Sequence, residues 1–354
     1  MPKFRVALSA DFLKSDGSPA YPMFDLTPMS ADPRIELTFV APVNGVMPAS
    51  VFKDQDALIL LVPKFNQASI ASGGRLGVVA RFGVGYDSVD VPACTASDIA
   101  LCITPDGVRR PVAVSILTLI FALTGKLLVK DRITRQGPDG FNTRAQHMGV
   151  GLVGKTLGSI GIGNIGAELF RLAKPFDLKF MAHDPFADKA FAKELGVELV
   201  PLELLFREAD FLCVNCPLTP ETKYIVNAER LALMKPTAYL INTSRGPTVD
   251  QKALTTALQE RRIAGAGLDV FEVEPVPADE PLLQLDNVIV SPHALCWTDQ
   301  CFAGNGAADI KAVLDYMHGR MPAGIVNRDV TKNAGWLKRL EANRNAFGSR
   351  SQGL

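Results

Sequence analysis

The chain has 354 residues, of which 47% are hydrophobic and 21% are charged. At roughly 150 residues per domain, this length predicts about two domains, and the composition excludes a disordered chain or a coiled coil. Lys plus Arg and Asp plus Glu both number 37, so the formal net charge is zero, and we predict no nucleic-acid partner that is held by bulk positive charge.

The chain shows no membrane or secretion signal in its sequence pattern. The most hydrophobic run, residues 112–123, has only 12 residues, whereas a membrane span needs roughly 20. The N-terminal segment lacks the apolar core and the small-residue cleavage site of a signal peptide. We therefore expect a cytoplasmic protein with no membrane partner.

The six cysteines are scattered along the chain, which is typical of a reducing compartment. Cys213 and Cys216 form a C-x-x-C pair, and this leaves two interpretations, a metal or redox site or the end of a buried strand. The apolar residues around them and Pro217 favour the strand end, because no second C-x-x-C and no paired histidine stands nearby. We therefore predict no metal site.

The first third of the chain has the pattern of alternating strands and helices. After a first strand, residues 14–33 are rich in Ser, Pro, Gly and Asp and are predicted to form an irregular loop. The segments between the apolar runs are long enough for helices, so the pattern predicts a parallel α/β sheet. The predicted strands are 4–8, 35–40, 57–62, 76–82 and 100–103.

A second α/β series follows a long helix. The helix is predicted over residues 108–130, opened by Arg109-Arg110-Pro111, and the polar residues 135–149 are predicted to form a loop. Six strands with intervening helices then predict one doubly wound sheet, with strands at 157–160, 178–182, 211–214, 238–241, 264–268 and 288–290. A helical stretch to about residue 318 could return the chain to the first unit, and a docking helix is predicted on the apolar stripe Trp336, Leu337 and Leu340, before a frayed tail after Ser349.

The strongest local motif is the glycine turn between the strand 157–160 and the next helix. Gly161, Gly163 and Gly166 form G-x-G-x-x-G in the strand–turn–helix context that the dinucleotide-binding turn requires. The first glycine permits the tight turn, the second lets the backbone approach a pyrophosphate, and the third lets the helix and strand pack closely. The free N–H groups of the helix N-terminus then bind the anion. A structural turn without a ligand is the less favoured alternative.

An acidic residue follows at the distance that a dinucleotide site requires. Asp184 lies 184 − 166 = 18 residues beyond the last glycine, after the next predicted strand, close to the usual spacing of about 20. A carboxylate there accepts hydrogen bonds from ribose hydroxyls and repels a 2′-phosphate, so NAD is favoured over NADP.

Three ionisable residues follow different strands of the second series. Arg245 follows the strand 238–241, Glu274 follows 264–268, and His293 follows 288–290. Ligands of open α/β sheets bind beyond the carboxyl ends of the strands, so we expect these side chains at one edge. Reduction of a keto acid needs a proton donor, for which histidine is suited, and a cation for the carboxylate, for which arginine is suited. A glutamate beside the histidine would stabilise its protonated form and fix its tautomer. Each residue taken singly is more often structural, but their order within one dinucleotide fold favours a catalytic set.

These motifs together resemble the D-isomer-specific 2-hydroxyacid dehydrogenase family, which includes glyoxylate/hydroxypyruvate reductases and D-3-phosphoglycerate dehydrogenase. The match is dense from Gly149 to Thr298, and residues 81–90 resemble the family's substrate loop. Val108 and Val114 stand where the family often has Asn and Glu, so the effect on the hinge and on the substrate stays open.

The resemblance implies the fold and the assembly. It implies two doubly wound parallel-sheet α/β domains, with a Rossmann NAD-binding domain at 108–298 inserted into a flavodoxin-like substrate domain at 1–107 and 299–354. It also implies a homodimer and a small 2-ketoacid or 2-hydroxyacid substrate. The family pattern does not select among glyoxylate, hydroxypyruvate, phosphohydroxypyruvate and larger keto acids.

The resemblance also implies the roles of individual residues. His293 is the acid/base, Glu274 its partner, and Arg245 binds the substrate carboxylate together with the backbone amides of Val84 and Gly85. Asp269 is expected to face the nicotinamide carboxamide. The predicted cofactor-binding residues are Gly161, Gly163, Asn164, Ile165, Gly166, Asp184, Pro185, Cys216, Pro217, Thr222, Thr243, Ser244 and Asp269.

Two other functions remain compatible with such a fold. One is formate or phosphonate oxidation, but formate enzymes of this fold carry Gln as the partner of the histidine, and this chain has Glu274. The other is a dinucleotide-sensing binding protein similar to corepressors related to the family. Such a sensor would bind NADH and turn over keto acids negligibly.

Overall fold

The computed structural model describes residues 2–348, and the predicted frayed tail lies outside them. The chain forms two compact units. The first joins the residues up to Val108 to those from Thr298 onward, and the second is Arg109–Trp297. Each bound lies one residue from the position predicted from the sequence.

The strands pair in parallel throughout both sheets of the described residues. They are β1 (Phe4–Ser9), β2 (Ile35–Val40), β3 (Ala57–Leu60), β4 (Val78–Arg81), β5 (Ala100–Ile103), β6 (Thr156–Ile160), β7 (Lys179–His183), β8 (Glu198–Leu199), β9 (Phe211–Val214), β10 (Tyr239–Asn242), β11 (Gly265–Leu268) and β12 (Val288–Val290). The α-helices are α1 (Thr27–Ser30), α2 (Val91–Ala96), α3 (Pro105–Thr124), α4 (Leu127–Thr134), α5 (Pro138–Asn142), α6 (Asn164–Ala173), α7 (Lys189–Leu195), α8 (Leu202–Glu208), α9 (Ala228–Leu231), α10 (Gln251–Gln259), α11 (Asp299–Met317) and α12 (Ala334–Phe347).

The first unit contains a five-stranded sheet in the order β2-β1-β3-β4-β5, which is the flavodoxin-like order. Helix α11 packs on β4 and β5. Helix α12 docks through Trp336 and Leu340, which are buried, whereas Leu337 of the predicted stripe is 43% exposed. Because β1, β3 and β4 are neighbours, the loops at their carboxyl ends lie along one edge of this sheet.

The second unit contains a seven-stranded sheet in the order β12-β11-β10-β9-β6-β7-β8. The sequence predicted six strands, and the missed one, β8, has two residues, too few for an apolar run. The strand order reverses between β6 and β9, so the loops after these two strands flank the switch point where ligands of such sheets bind. The predicted fold class, two doubly wound parallel-sheet domains, is confirmed.

Helix α3 differs from its prediction at both ends. It begins at Pro105, so Pro111 lies inside the helix and not in its first turn. Pro105 follows β5 after one residue and takes the first-turn position, where a missing N–H is harmless. The helix ends at Thr124, and Lys126, with φ 50°, separates it from α4. The predicted loops at 14–33 and 135–149 contain the short helices α1 and α5.

By length and composition alone, α3 is long and apolar enough to cross a membrane. Within its most apolar window, however, 61% is buried inside the protein. A core helix of a soluble protein passes the same test, so this helix is weak evidence for a membrane span.

Candidate active site

The glycine turn joins β6 to α6 at the switch point of the second sheet. Gly161 has φ +97°, and a Cβ on Gly166 would lie 2.5 Å from the Gly161 carbonyl oxygen, so both positions require glycine. Gly163 caps α6 without a side-chain hydrogen bond, and a Cβ placed on it would meet no atom within 4 Å in the described residues. Gly163 and Asn164 are exposed, and within residues 2–348 the N–H groups of Asn164 and Ile165 donate no hydrogen bond, so the turn fits a dinucleotide pyrophosphate.

Asp184 is fixed beside this turn by two backbone groups. Its Oδ2 accepts a hydrogen bond from the Ile162 N–H at 3.0 Å, and its Oδ1 accepts one from the Phe186 N–H at 2.9 Å. Each carboxylate oxygen keeps a further lone pair. The carboxylate is therefore oriented at the turn and can still accept bonds from ribose hydroxyls. Pro185, next to it, is exposed.

The loop after β9 faces the same place. Burial, and to a smaller extent the charge of Asp184, raises the pKa of Cys216 to about 11, and burial also raises the pKa of Cys213. The thiolates that a metal or redox site needs are therefore disfavoured. No cluster of three or more metal-ligating side chains occurs among residues 2–348. Thr222 donates its hydroxyl to the Pro217 carbonyl at 2.6 Å, so its side chain shapes this loop.

Asn242, at the end of β10, organises the turn that carries Arg245. Its Oδ1 accepts hydrogen bonds from the Ser244 N–H and the Ser244 hydroxyl, both at 3.0 Å, and its Nδ2 donates to the Arg245 carbonyl at 3.0 Å. No role was predicted for Asn242, which is 1% exposed. Its sequence signal is an asparagine directly after an apolar strand and three residues before Arg245. The Thr243 hydroxyl oxygen is buried and has no hydrogen-bond partner within residues 2–348, which fits a contact with a cofactor.

His293 and Glu274 form a hydrogen-bonded pair. The Nδ1 of His293 lies 2.7 Å from the Oε2 of Glu274, and the Oε1 of Glu274 accepts a bond from the Phe271 N–H at 2.9 Å. With the carboxylate ionised, Nδ1 donates to it, and Nε2 is left for a substrate. The His293 side chain is 43% exposed. The pair therefore combines a fixed imidazole with an accessible nitrogen.

Arg245 contributes to the charge state of this pair. Burial raises the pKa of Glu274, but the hydrogen bonds from His293 and Phe271 and the positive charges of His293 and Arg245 outweigh it, so the pKa lies below its ordinary value of 4.5. An ionised carboxylate whose pKa is lowered by folding stabilises the folded state at every pH above its pKa in the unfolded chain. This stabilisation disappears as the pH falls through the lowered pKa of the folded state. Glu274 is therefore ionised at neutral pH, and the three predicted side chains are electrostatically coupled.

Asp269 anchors the loop that carries His293. It is 3% exposed, and its Oδ1 accepts bonds from the Ser291 hydroxyl at 2.6 Å and the Ala294 N–H at 3.0 Å. In the chain, His293 lies between these two donors, and its backbone has φ 54°, which is uncommon for a residue other than glycine. Only a nicotinamide contact was predicted for Asp269. This positioning role was missed, because it depends on β11 and β12 being neighbours.

The predicted substrate-binding amides belong to the first unit. Val84 and Gly85 follow β4 and are half-buried. Across residues 2–348, neither amide N–H donates a hydrogen bond. Both are therefore available to bind an anion such as a carboxylate.

Comparison with known proteins identifies the family. The family model for the D-isomer specific 2-hydroxyacid dehydrogenase NAD binding domain matches residues 117–294, which is half of the chain. The glyoxylate reductase of Korarchaeum cryptofilum is 40% identical over 282 residues, covering 79% of this chain and 85% of that relative. The chain belongs to the D-isomer specific 2-hydroxyacid dehydrogenase family.

Two further similarities support the same assignment for this dehydrogenase. The D-3-phosphoglycerate dehydrogenase of Methanocaldococcus jannaschii is 37% identical over 78% of this chain and 52% of its own length. The crystal structure of a protein from Thermus thermophilus matches with a TM-score of 0.77 and 27% identity, over 91% of this chain and 100% of that chain. The dehydrogenase is thus an oxidoreductase of 2-hydroxy acids with a dinucleotide cofactor, and the predicted family and enzyme class are confirmed.

Proposed function

We propose that this dehydrogenase reduces small 2-keto acids to 2-hydroxy acids with NADH, that a chiral product has the D configuration, and that glyoxylate, which gives achiral glycolate, is among its substrates. The 2.7 Å pair of His293 and Glu274, with Arg245 acting on the charge of the same carboxylate, is the observation that carries the proposal. A glyoxylate reductase at 40% identity supports the choice of substrate.

Each residue has one task in the proposed reaction. NADH, when bound, supplies the hydride that reduces the keto carbon. Protonated His293 donates the Nε2 proton to the keto oxygen, while Glu274 holds Nδ1 and balances the charge of the imidazolium. Arg245 and the amides of Val84 and Gly85 bind the carboxylate, and the guanidinium also polarises the carbonyl. One keto acid, one NADH and one proton give one hydroxy acid and one NAD⁺.

The direct test is an absorbance assay of NADH oxidation with glyoxylate, hydroxypyruvate, phosphohydroxypyruvate and pyruvate, run in parallel with NADPH. Turnover of one or more keto acids is the expected result. NADH binding without turnover of any keto acid would favour the dinucleotide-sensing alternative. Turnover of formate with NAD⁺ and none of a keto acid would favour the formate alternative.

Asp184 is proposed to select NADH over NADPH. Asp184→Asn removes the negative charge and keeps one amide oxygen, which can accept a hydrogen bond from one of the two N–H groups, Ile162 or Phe186, that the carboxylate binds. We expect the ratio of kcat/KM for NADPH to that for NADH to rise by about tenfold or more, since charged hydrogen bonds to ribose are lost and phosphate repulsion ends.

Asp188→Asn is the matched control for Asp184→Asn. Asp188 is an exposed aspartate four residues further on that caps α7 by accepting from the Ala190 N–H. Asp188→Asn removes the same charge at a nearby position, so the ratio of kcat/KM for NADPH to that for NADH should not change. A wild-type enzyme that prefers NADPH, or an unchanged ratio in Asp184→Asn, would contradict the role of Asp184.

We also propose that the dehydrogenase is a homodimer, formed through an apolar surface of the second unit. This 114–153 surface carries exposed apolar side chains on α3, α4, α5 and the segment that follows, among them Leu127 (59% exposed), Phe141 (60%), Met148 (74%) and Val153 (78%). Monomeric proteins rarely expose so many large apolar groups in one region. A second copy of the chain is the proposed partner.

Light scattering after size exclusion tests the homodimer. We expect twice the chain mass for the wild type and for Met321→Asp, a control at an exposed apolar residue of the first unit. The double variant Met148→Asp and Val153→Asp should shift the protein towards the monomer, because each carboxylate would be buried unpaired in the interface. A monomeric wild type would contradict the proposal.

A further inference from the structure

A buried hydrogen-bond chain in the first unit ends on Gly83, within the predicted substrate loop 81–90. Residues 83–85 of that loop are called the 83–85 loop. The Gly83 N–H donates to the hydroxyl oxygen of Thr104 at 2.8 Å, and that hydroxyl donates to the Oδ1 of Asn305 at 2.7 Å. Thr104 and Asn305 are each 2% exposed. Because the Thr104 hydroxyl has a single proton, which it donates to Asn305, it can only accept from the Gly83 N–H. The direction of each hydrogen bond in the chain is therefore fixed.

The same threonine also fixes the carbonyl of Gly83. Its backbone N–H donates to the Gly83 carbonyl oxygen at 3.0 Å. A peptide group is planar, so the Gly83 carbonyl and the Val84 N–H share one plane and point in opposite directions. Thr104 therefore sets the direction of the Val84 N–H, which is one of the two amides proposed to bind the substrate carboxylate.

The surrounding backbone holds Thr104 and Asn305 in this arrangement. Gly83 has φ +119°, and a Cβ there would overlap the Arg81 guanidinium. Asn305 lies on α11, and a Cβ on Gly107 would overlap its side-chain oxygen, so only glycine lets α11 approach this closely. Thr104 connects β5 to α3, so the chain of bonds joins the loop after β4, the end of β5 and α11.

We propose that Thr104 and Asn305 are positioning residues for substrate binding, which hold the 83–85 loop so that its amides face the substrate carboxylate. This inference rests on the proposed function, because it assigns a task within the same reaction. Neither residue touches the reacting atoms. A carboxylate is bound in the ground state and in the transition state alike, so loss of the positioning raises KM and leaves kcat nearly unchanged.

Steady-state kinetics with a keto acid tests this positioning role. Thr104→Val keeps the shape of the side chain and removes the hydroxyl, so the Gly83 N–H loses its buried acceptor. We expect the KM for glyoxylate to rise about tenfold, with kcat within about threefold of the wild type and the KM for NADH unchanged. Thr104→Ser restores the hydroxyl and should restore the KM.

Asn305→Leu tests the other end of the chain and keeps the proposal falsifiable if Thr104→Val does not fold. In the double variant that combines Thr104→Val with Asn305→Leu, KM should rise by about the same factor as in one single variant. It should not rise by the product of the two single factors, because the two residues act as one unit. Thr124→Val is the matched control: Thr124 is 4% exposed and donates its hydroxyl only within its own helix, to Ile120 at 2.7 Å and Phe121 at 3.3 Å.

The outcomes separate this inference from the proposed function. A wild-type enzyme that turns over no keto acid overturns the proposed function and this inference with it. An active wild type with Thr104→Val and Asn305→Leu both within about twofold of its KM overturns this inference alone. An equal rise in KM in Thr124→Val overturns it as well, since the effect would then follow from any lost buried hydroxyl.

Discussion

His293→Ala is expected to lower kcat for keto-acid reduction by about 10²–10⁴-fold, the usual contribution of a general acid. Alanine has no group that can donate a proton in place of the Nε2 of His293. Glu274 keeps its hydrogen bond from the Phe271 N–H in this variant. Because chemistry becomes slower than the other steps, the primary isotope effect on kcat with deuterated NADH should increase. Stopped-flow and steady-state absorbance measure both quantities.

Two measurements separate this effect from a folding defect. His318→Ala removes a half-buried histidine from the first unit, and we expect it to keep the wild-type kcat. The affinity of His293→Ala for NADH, measured by fluorescence, should equal that of the wild type. Turnover by His293→Ala at a near-wild-type rate would show that another group supplies the proton.

Arg245→Gln is expected to lower kcat/KM by about 10²–10³-fold. A guanidinium grips a carboxylate with two parallel hydrogen bonds, and removal of one partner of such a pair costs about 2–5 kcal/mol. The inhibition constant for oxamate, a keto-acid analogue with the same carboxylate, should rise in parallel. Arg245→Lys keeps the charge and loses the fork, so its defect should be smaller.

The control for Arg245→Gln is Arg262→Gln, since Arg262 forms a surface ion pair with Glu260 in the same unit. We expect no change in kcat/KM from this control. Arg245→Gln with wild-type oxamate inhibition would place the carboxylate on other residues. The charge of Arg245 helps to lower the pKa of Glu274. Its loss should therefore raise that pKa and move the acid limb of the pH profile of kcat/KM to higher pH.

The strand pattern shows how far local sequence is informative about this fold. Strands buried on both faces, such as β9, read as continuous apolar runs. The bounds of β2, β5, β9 and β12 equal the predicted ones, although β2 has exposed residues. The two-residue β8 has no such run and was missed. The start of α3 was misplaced because Pro111 resembled a first-turn proline, whereas Pro105 holds that position.

In the candidate site, too, the sequence predicted some features and the structure revealed others. The residue types at strand ends were enough to single out Arg245, Glu274 and His293, because the chemistry of keto-acid reduction demands those groups. The anchoring of the His293 loop by Asp269 and the contact of Thr104 with Gly83 were not foreseen. Both are bonds between residues that are distant in sequence and become neighbours only through the order of the strands.

The sequence by itself determined the family, the α/β class and the glycine turn, and it predicted the three ionisable residues, since these depend on local spacing and on side-chain chemistry. Only the tertiary structure decided which groups orient them: Asp269 for the His293 loop, Asn242 for the Arg245 turn, and Thr104 with Asn305 for the 83–85 loop. The physical reason is that a buried polar group must find a partner, and the fold, not the local sequence, determines which partner lies within reach.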